Sequence, residues 1–392
     1  MRALFISDVY FPRVNGVSTS IRTFRADLAN CGVETLLVTP QYGGSAEDGD
    51  PSVIRVPSAR VPRDPEDRRM RWSALDRALE SDRLRDVDLV HVHTPFMAHY
   101  AGVRFAKRAS IPCVATYHTF FEEYLHHYVP ALPRRLGKSL ARAFTRSQCS
   151  DVQALIAPSE PMREVLLQYG VSTPIHILPT GLPADRFRQA DGARFRAHAG
   201  LPHDRPLVTY IGRVAHEKNI DFLVRSFVQI RRAVPQALLV IAGEGPALEP
   251  LKQLVQRLGL QSDAHFVGYL DRNSTLLDCY AAASVFVFAS RTETQGLVLL
   301  EAMAQGAPVV STAELGTRSI LKPGCGALVV EENESEFAAA VARLLHDPGL
   351  RRELSESGRA HARNWSSALM ARRLTDLYGS LRLHAPPVRA TA

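Results

Sequence analysis

The chain has 392 residues, 46% hydrophobic and 22% charged, proportions that allow two to three globular domains with full-sized cores and exclude wholesale disorder. Its longest apolar runs, residues 237–242 and 285–289, are strand-sized, which excludes a membrane-spanning helix of about 20 residues. A formal charge of +7 asks for an anionic partner without choosing between nucleic acid, a membrane surface and a phosphorylated substrate.

In chain order, the apolar run after Arg2 stops at Asp8, so residues 1–8 read as a first buried strand and not as a secretory leader. Similar runs recur at 34–38, 89–92, 112–116, 154–157 and 175–178, alternating with helical patterns. Stacked βαβ units with a mostly parallel sheet follow, and the class is α/β. Residues 179–206, punctuated by Thr180-Gly181-Leu182-Pro183 and Gly200-Leu201-Pro202, read as a linker. Beyond it, strands are expected at 207–211, 238–242, 265–267, 285–288, 308–310 and 327–330, which makes a second domain of the same kind. The expected division is 1–182, 183–365 and a terminal helix within 366–385 that packs back on the first domain, with fraying at Ala385-Pro386-Pro387. Five widely spaced cysteines, Cys31, Cys113, Cys149, Cys279 and Cys325, form no C-x-x-C pair and suit a reducing cytoplasm.

Ligands of open α/β sheets bind beyond the carboxyl ends of the strands, in a cleft when two such sheets face each other. Asp86-Val87-Asp88 is a literal D-x-D, but it precedes the strand at 89–92 and belongs at the opposite edge, where no metal is expected. His91 and His93 share a strand face with His99 nearby; without a clear third ligand for zinc they read as polar cleft lining, with His93 toward an acceptor. Tyr210-Ile211-Gly212-Arg213 ends a strand, and Lys218-Asn219 opens a helix with the apolar face Ile220, Leu223, Val224, Phe227, Ile230. That loop aims a guanidinium, an ammonium and a positive helix end at one point, as a diphosphate requires; a solvated basic turn is the competing account. Gly243-Glu244-Gly245-Pro246 invites a dinucleotide site, which fails because Leu248 stands where the third glycine of the fingerprint belongs. After the strand at 285–288, Thr294 is placed to cap a helix whose first amides, at Gly296 and Leu297, approach an anionic group. Glu293 stands just outside that helix. Glu301 lies inside it among Leu297, Leu300, Ala302 and Ala304, partly buried and in need of a partner. Both carboxylates suit sugar hydroxyls as donors, exposed helix acids being the competing account.

Taken together, Gly212-Arg213 with Glu217-Lys218-Asn219, and Glu293 with Glu301-Ala302-Met303, resemble the retaining family 4 glycosyltransferases of the GT-B fold, over essentially the whole chain. The resemblance implies two Rossmann-like domains facing a central cleft. It implies that Arg213 and Lys218 hold the diphosphate of a nucleotide sugar, that Glu293 contacts the donor sugar and Glu301 the ribose, and that His118 in Thr116-Tyr117-His118-Thr119 stands beside the donor sugar. Asn15-Gly16-Val17-Ser18 matches the glycine-rich loop after the first strand, although many members carry two glycines there and this chain has Asn15-Gly16. The implied mechanism is front-face transfer with retention, neither glutamate acting as a covalent nucleophile. Charge building on the leaving phosphate is stabilised by Arg213, Lys218 and the amides near Gly296 and Leu297.

Residues 134–146 carry Arg134, Arg135, Lys138, Arg142 and Arg146 and no acid. With Leu136, Leu140 and Phe144 on another face they match an interfacial helix on anionic lipid, or equally a solvated helix packing Leu140 and Phe144 into the first domain. Tyr117-His118-Thr119-Phe120-Phe121-Glu122-Glu123-Tyr124 resembles the corresponding segment of members that glycosylate diacylglycerol, and related lipid-directed mannosyltransferases are similar there. The expected function is transfer of a hexose, glucose from UDP-glucose, to a membrane lipid such as diacylglycerol. The enzyme is expected in the cytoplasm, peripherally on the cytoplasmic face of the membrane, with no metal or other cofactor. A GDP-mannose-dependent mannosyltransferase acting on a glycolipid or polysaccharide is the second account. A basic nucleic-acid-binding protein is the non-enzymatic one, opposed by the lack of a recognised module and by 40 acids set among 47 bases.

Overall fold

The structure, a computed structural model, describes residues 1–43, 49–61, 64–118, 134–272, 274–322 and 324–383, with the backbone alone at 64–66 and 134–136. The tail at 385–387 lies outside the described residues. The chain divides into two compact units, Met1–Gly181 with Ser367–Ala392, and Leu182–Ser366.

In the first unit, β1 (Arg2–Ile6), β2 (Glu34–Pro40) and β3 (Val53–Val56) are followed by an antiparallel ribbon of β4 (Ser58–Val61) and β5 (Asp64–Met70). Then come β6 (Leu89–Val92), β7 (Cys113–Thr116), β8 (Ala154–Ala157) and β9 (Ile175–Ile177). The seven strands other than the ribbon form a parallel sheet in the order β3-β2-β1-β6-β7-β8-β9. Its central strands are apolar without alternation because helices cover both faces; Ala3, Leu4, Phe5 and Ile6 are all fully buried. The helix Gly16–Asn30 starts where the Asn15 side chain accepts the Ser18 amide at 2.8 Å, an N-cap that satisfies one orphan donor. Its Ile21, Phe24 and Leu28 share a core with Phe5, Leu37 and with Met370, Ala371, Leu374, Leu377 and Tyr378 of the helix Ser367–Leu383. The spacing of three and four along that last helix is what gives it a single apolar face.

The second unit holds β10 (Leu207–Ile211), β11 (Leu238–Ala242), β12 (Ala264–Gly268), β13 (Val285–Phe288), β14 (Val309–Ser311) and β15 (Ala327–Val329), parallel in the order β12-β11-β10-β13-β14-β15. In each sheet the chain winds outward, then returns to the other side of its first strand. This creates a switch point between β1 and β6 and another between β10 and β13, where neighbouring loops diverge and leave room for a ligand.

Two expectations need correction. The stretch 179–206 is no simple linker: it contains the helix Gly192–His198, capped by Asp191 and carrying Phe195 into the core of the second unit at 1% exposure. Asp278 holds it, accepting the Asp191 amide at 2.8 Å and Arg194 Nε at 2.6 Å, and glycine and proline punctuation hid this short element. Strands β3 to β5 were also not expected. The ribbon is rich in Arg and Asp, and its pairing with itself replaces the apolar alternation that identifies a strand from sequence.

Candidate functional site

In the second unit, the residues expected to hold a nucleotide sugar come from the two loops that flank the β10/β13 switch point. Arg213 follows β10, and the backbone there is pinned from below: Tyr210 on β10 is fully buried and donates its hydroxyl to the Arg213 carbonyl at 3.1 Å. Burial together with the Glu293 and Glu217 carboxylates pushes the Tyr210 hydroxyl well above the usual phenol range, so it stays a donor. The Arg213 guanidinium is half-exposed, 3.8 Å from the Glu217 carboxylate. Lys218 ends a short 3-10 turn, His216–Lys218, before Asn219 in the left-handed conformation (φ 55°) leads into the helix Ile220–Ala233. Its ammonium forms an ion pair with Glu293, which follows β13. Tyr210 and Glu217 had no sequence signal beyond their place beside Gly212 and Lys218.

Thr294 does not cap the next helix, as the sequence had suggested. The helix is Leu297–Ala304 and its N-cap is Gly296 at φ 94°, with no side-chain cap. A left-handed N-cap excludes the extended backbone through which a threonine caps, and it favours glycine. A side chain at Gly296 would also meet Thr317 Cγ2 at 3.0 Å. Leu297 is thus the first helical residue, at the positive end of the helix. Glu301 is 3% exposed and has found its partners within the unit: Arg272 Nη2 donates to Oε1 at 2.8 Å and the Tyr280 hydroxyl to Oε2 at 3.0 Å. Arg272 and Tyr280 were not legible in the sequence, because nothing in the spacing of three distant segments shows that they meet. The glycines of the failed dinucleotide fingerprint serve packing. A Cβ on Gly243 (φ 128°) would stand 1.9 Å from the Gly212 carbonyl oxygen, and the Gly212 amide bonds the Ala242 carbonyl at 3.0 Å.

In the first unit, the loops after β1, β6 and β7 bring Asp8, His93 and His118 to the same edge of the sheet. His93 Nδ1 and His118 Nε2 are 3.2 Å apart. Burial pushes the His118 imidazole down to about 4, which keeps the ring neutral at pH 7. His91 and His93 are each 1% exposed, and His93 lines a small cavity together with His99, Tyr117, His118 and Gln148. His91 is bonded at both nitrogens, to Tyr378 and Thr116, and Nδ1 of His93 faces His118. His99 is also buried, 3.3 Å from Asp151. Asp8, which sequence reasoning passed over, accepts from Thr94 Oγ1 at 2.8 Å and from the Ala98 amide at 3.2 Å, so that it ties the β6 loop to β1. Burial raises its carboxyl to about 6 against those bonds. Gly16, first residue of its helix, is exposed, and a Cβ added there would meet no described atom within 4 Å. Asp88 of the D-x-D is occupied by the Arg2 amide at 2.7 Å and by Arg382 at 3.2 Å, at the amino edge of the sheet.

On the helix Arg134–Cys149, Ala141, Thr145, Gln148 and Cys149 are buried, while Leu140 and Phe144 are 50% and 36% exposed. This overturns the account in which Leu140 and Phe144 pack into the domain. Arg142 and Arg146 are also exposed, on another side of the helix from Leu140 and Phe144. The aromatic segment 119–124 lies outside the described residues. No described helix is long and apolar enough to cross a membrane.

Known proteins share the family and the fold. The family description "Glycosyltransferase Family 4" matches residues 14–186 and "Glycosyl transferases group 1" matches residues 192–361. The chain is 33% identical over 317 residues to alpha-monoglucosyldiacylglycerol synthase of Streptococcus pneumoniae, covering 79% of this chain and 71% of that one. It is 29% identical to a GDP-mannose-dependent alpha-mannosyltransferase of Mycobacterium tuberculosis, over 88% and 89% of the two chains. Among solved structures, sucrose-phosphate synthase from Thermosynechococcus elongatus superposes with a TM-score of 0.78 at 22% identity, over 97% of this chain and 99% of that one. That likeness is of fold, and the fold is GT-B.

Proposed function

Because the chain belongs to glycosyltransferase family 4, we propose that it is a retaining hexosyltransferase that moves glucose from UDP-glucose to a membrane lipid such as diacylglycerol. The observation that carries the donor half is the meeting of Lys218 with Glu293 at the carboxyl ends of β10 and β13, with Arg213 on the same loop as Lys218. A diphosphate entering there exchanges the Lys218–Glu293 ion pair for two contacts: the ammonium turns to phosphate and the freed carboxylate accepts from sugar hydroxyls. As the acceptor hydroxyl attacks the sugar carbon, the bond to the diphosphate breaks on the same face and the hydroxyl proton passes to the departing phosphate oxygen. The negative charge that builds on the leaving oxygen is met by Lys218, Arg213 and the positive helix end at Gly296 and Leu297. Glu301, already fixed by Arg272 and Tyr280, keeps lone pairs for a ribose hydroxyl. Gly16 opens a second positive helix end in the first unit, and His118 serves as the neutral polar group beside the donor sugar. These side chains supply the cationic stabilisation themselves, so the reaction is proposed to need no metal.

The lipid acceptor is supported by the likeness to the monoglucosyldiacylglycerol synthase and by a helix that exposes Leu140 and Phe144 on one side and Arg142 and Arg146 on another. A helix with exposed apolar and cationic sides lies in the interface of an anionic leaflet, here proposed to be the cytoplasmic one. The mannosyltransferase likeness supports GDP-mannose as the second donor to test. Thermal stabilisation by UDP, GDP, ADP and their sugars, with and without chelator, separates the donors. Stabilisation by GDP-mannose and not UDP-glucose replaces the first account with the second, and loss of stabilisation or turnover on chelation refutes the metal-free one. The anomeric configuration of labelled product made on diacylglycerol vesicles tests retention and acceptor together.

A further inference from the structure

We propose that His93 is a positioning residue for His118: its Nδ1–H donates to Nε2 of His118 and fixes that ring, in orientation and as the Nδ1–H tautomer. This rests on the reading of His118 as the residue beside the donor sugar. The two nitrogens are 3.2 Å apart, and the rings lie at 22° with centroids 5.5 Å apart. The contact alone does not say which nitrogen donates. The far nitrogen of His93 decides it. Nε2 is buried without a hydrogen-bond partner among the described residues, on a side chain 1% exposed, and a buried N–H without an acceptor is rarer and costlier than an unused lone pair. The proton therefore sits on Nδ1, facing His118.

His93 is held against turning away. Its ring packs on Phe5 (centroids 4.6 Å apart) and on His91 (4.0 Å). His91 is pinned in turn by Tyr378 Oη at 2.5 Å and Thr116 Oγ1 at 2.6 Å, so the chain of contacts runs back to the helix Ser367–Leu383. Burial holds His91 and His93 well below the usual imidazole range and His118 down to about 4. All three rings are neutral at pH 7, which leaves a neutral N–H···N bond as the one that sets the tautomer.

Nitrogen-15 NMR of the histidine-labelled protein reads the tautomer directly. His118 should show an Nδ1-protonated ring, and an Nε2-protonated ring in the unaltered protein overturns the proposal. His93→Asn keeps an N–H donor where Nδ1 stood and should preserve both the tautomer and turnover, within about threefold. His93→Phe should lose the tautomer preference and lower kcat about tenfold, the scale of one lost hydrogen bond, with KM for the nucleotide sugar unchanged. If His93→Phe does not fold, the NMR of the unaltered protein and the His93→Asn variant decide. His118→Ala separates the two ideas. Full activity in that variant removes the role of His118 itself; an inactive His118→Ala beside a fully active His93→Phe removes only the positioning role.

Discussion

Lys218 and Glu293, 75 residues apart in the chain, form the contact on which the proposed donor site depends. Glu293→Gln keeps the size of the side chain and removes its charge. Turnover should fall about 100-fold or more, while the thermal unfolding midpoint stays within a few degrees, because the pair is only partly buried. An unchanged kcat would remove Glu293 from the chemistry. Glu301 is different, since its charge is buried and held by two donors. Arg272→Met should cost about 3–5 kcal/mol by leaving that carboxylate uncompensated, and Tyr280→Phe about 1–3 kcal/mol through the lost donor. Urea unfolding measures both, and equal stability in all three proteins would contradict the buried pairing.

Among the elements, the loops after β10 and β11 are packed backbone to backbone. Gly243→Ala drives a Cβ against the Gly212 carbonyl at a φ that favours glycine, so it should cost at least about 2 kcal/mol and disturb Arg213 through the Gly212 backbone. Gly16→Ala meets open space at a helix start and should be neutral or stabilise by about 0.5 kcal/mol. Any loss of nucleotide-sugar affinity in that variant reports on the proposed phosphate contact. On the helix Arg134–Cys149, replacing Leu140 and Phe144 with serine should weaken binding to anionic vesicles severalfold and leave turnover on detergent-dispersed acceptor unchanged; equal turnover losses in vesicles and detergent would argue for a packing role. The helical periods of such elements were legible in sequence. Which face of this helix points outward was not, because Ala141, Thr145 and Gln148 form as good a buried stripe as Leu140 and Phe144 once a neighbour is present.

For the molecule as a whole, stability is tied to the helix Ser367–Leu383 and to the histidine cluster of the first unit. Removing residues 367–383 uncovers Phe24, Leu28 and Phe5, at about 1.5–3 kcal/mol for each large side chain exposed. The shortened chain should lose cooperative unfolding of the first unit, and retention of that transition would show that the helix is dispensable. The pH dependence follows from the same cluster. His91, His93 and His118 lie below the usual 6.5 in the fold, so the unfolded chain binds protons that the folded one refuses. The stability they contribute is complete above about 6.5 and drains as pH falls below it, for His118 toward about 4. Asp8, raised from 3.8 to about 6, acts in the opposite sense, stabilising below 3.8 and losing that contribution as pH rises through about 6. Three groups outweigh one, and the urea midpoint should be lower at pH 5 than at pH 7.5. A flat profile, or a rise, would refute the neutral histidine cluster.

Sequence alone determined the α/β class, the two families of parallel strands and the candidate donor residues, because apolar runs of strand length and short polar loops at their ends are local features of the chain. The tertiary structure decided the partners. Glu301 with Arg272 and Tyr280, His93 with His118, and Tyr378 with His91 are each joined by strand order and helix return, and no local pattern encodes which distant side chain will fill a buried carboxylate or imidazole. The same holds for Gly296: its sequence neighbours suggested a threonine cap, and only the left-handed backbone there, with Thr317 close to where a side chain would stand, assigned that position to glycine.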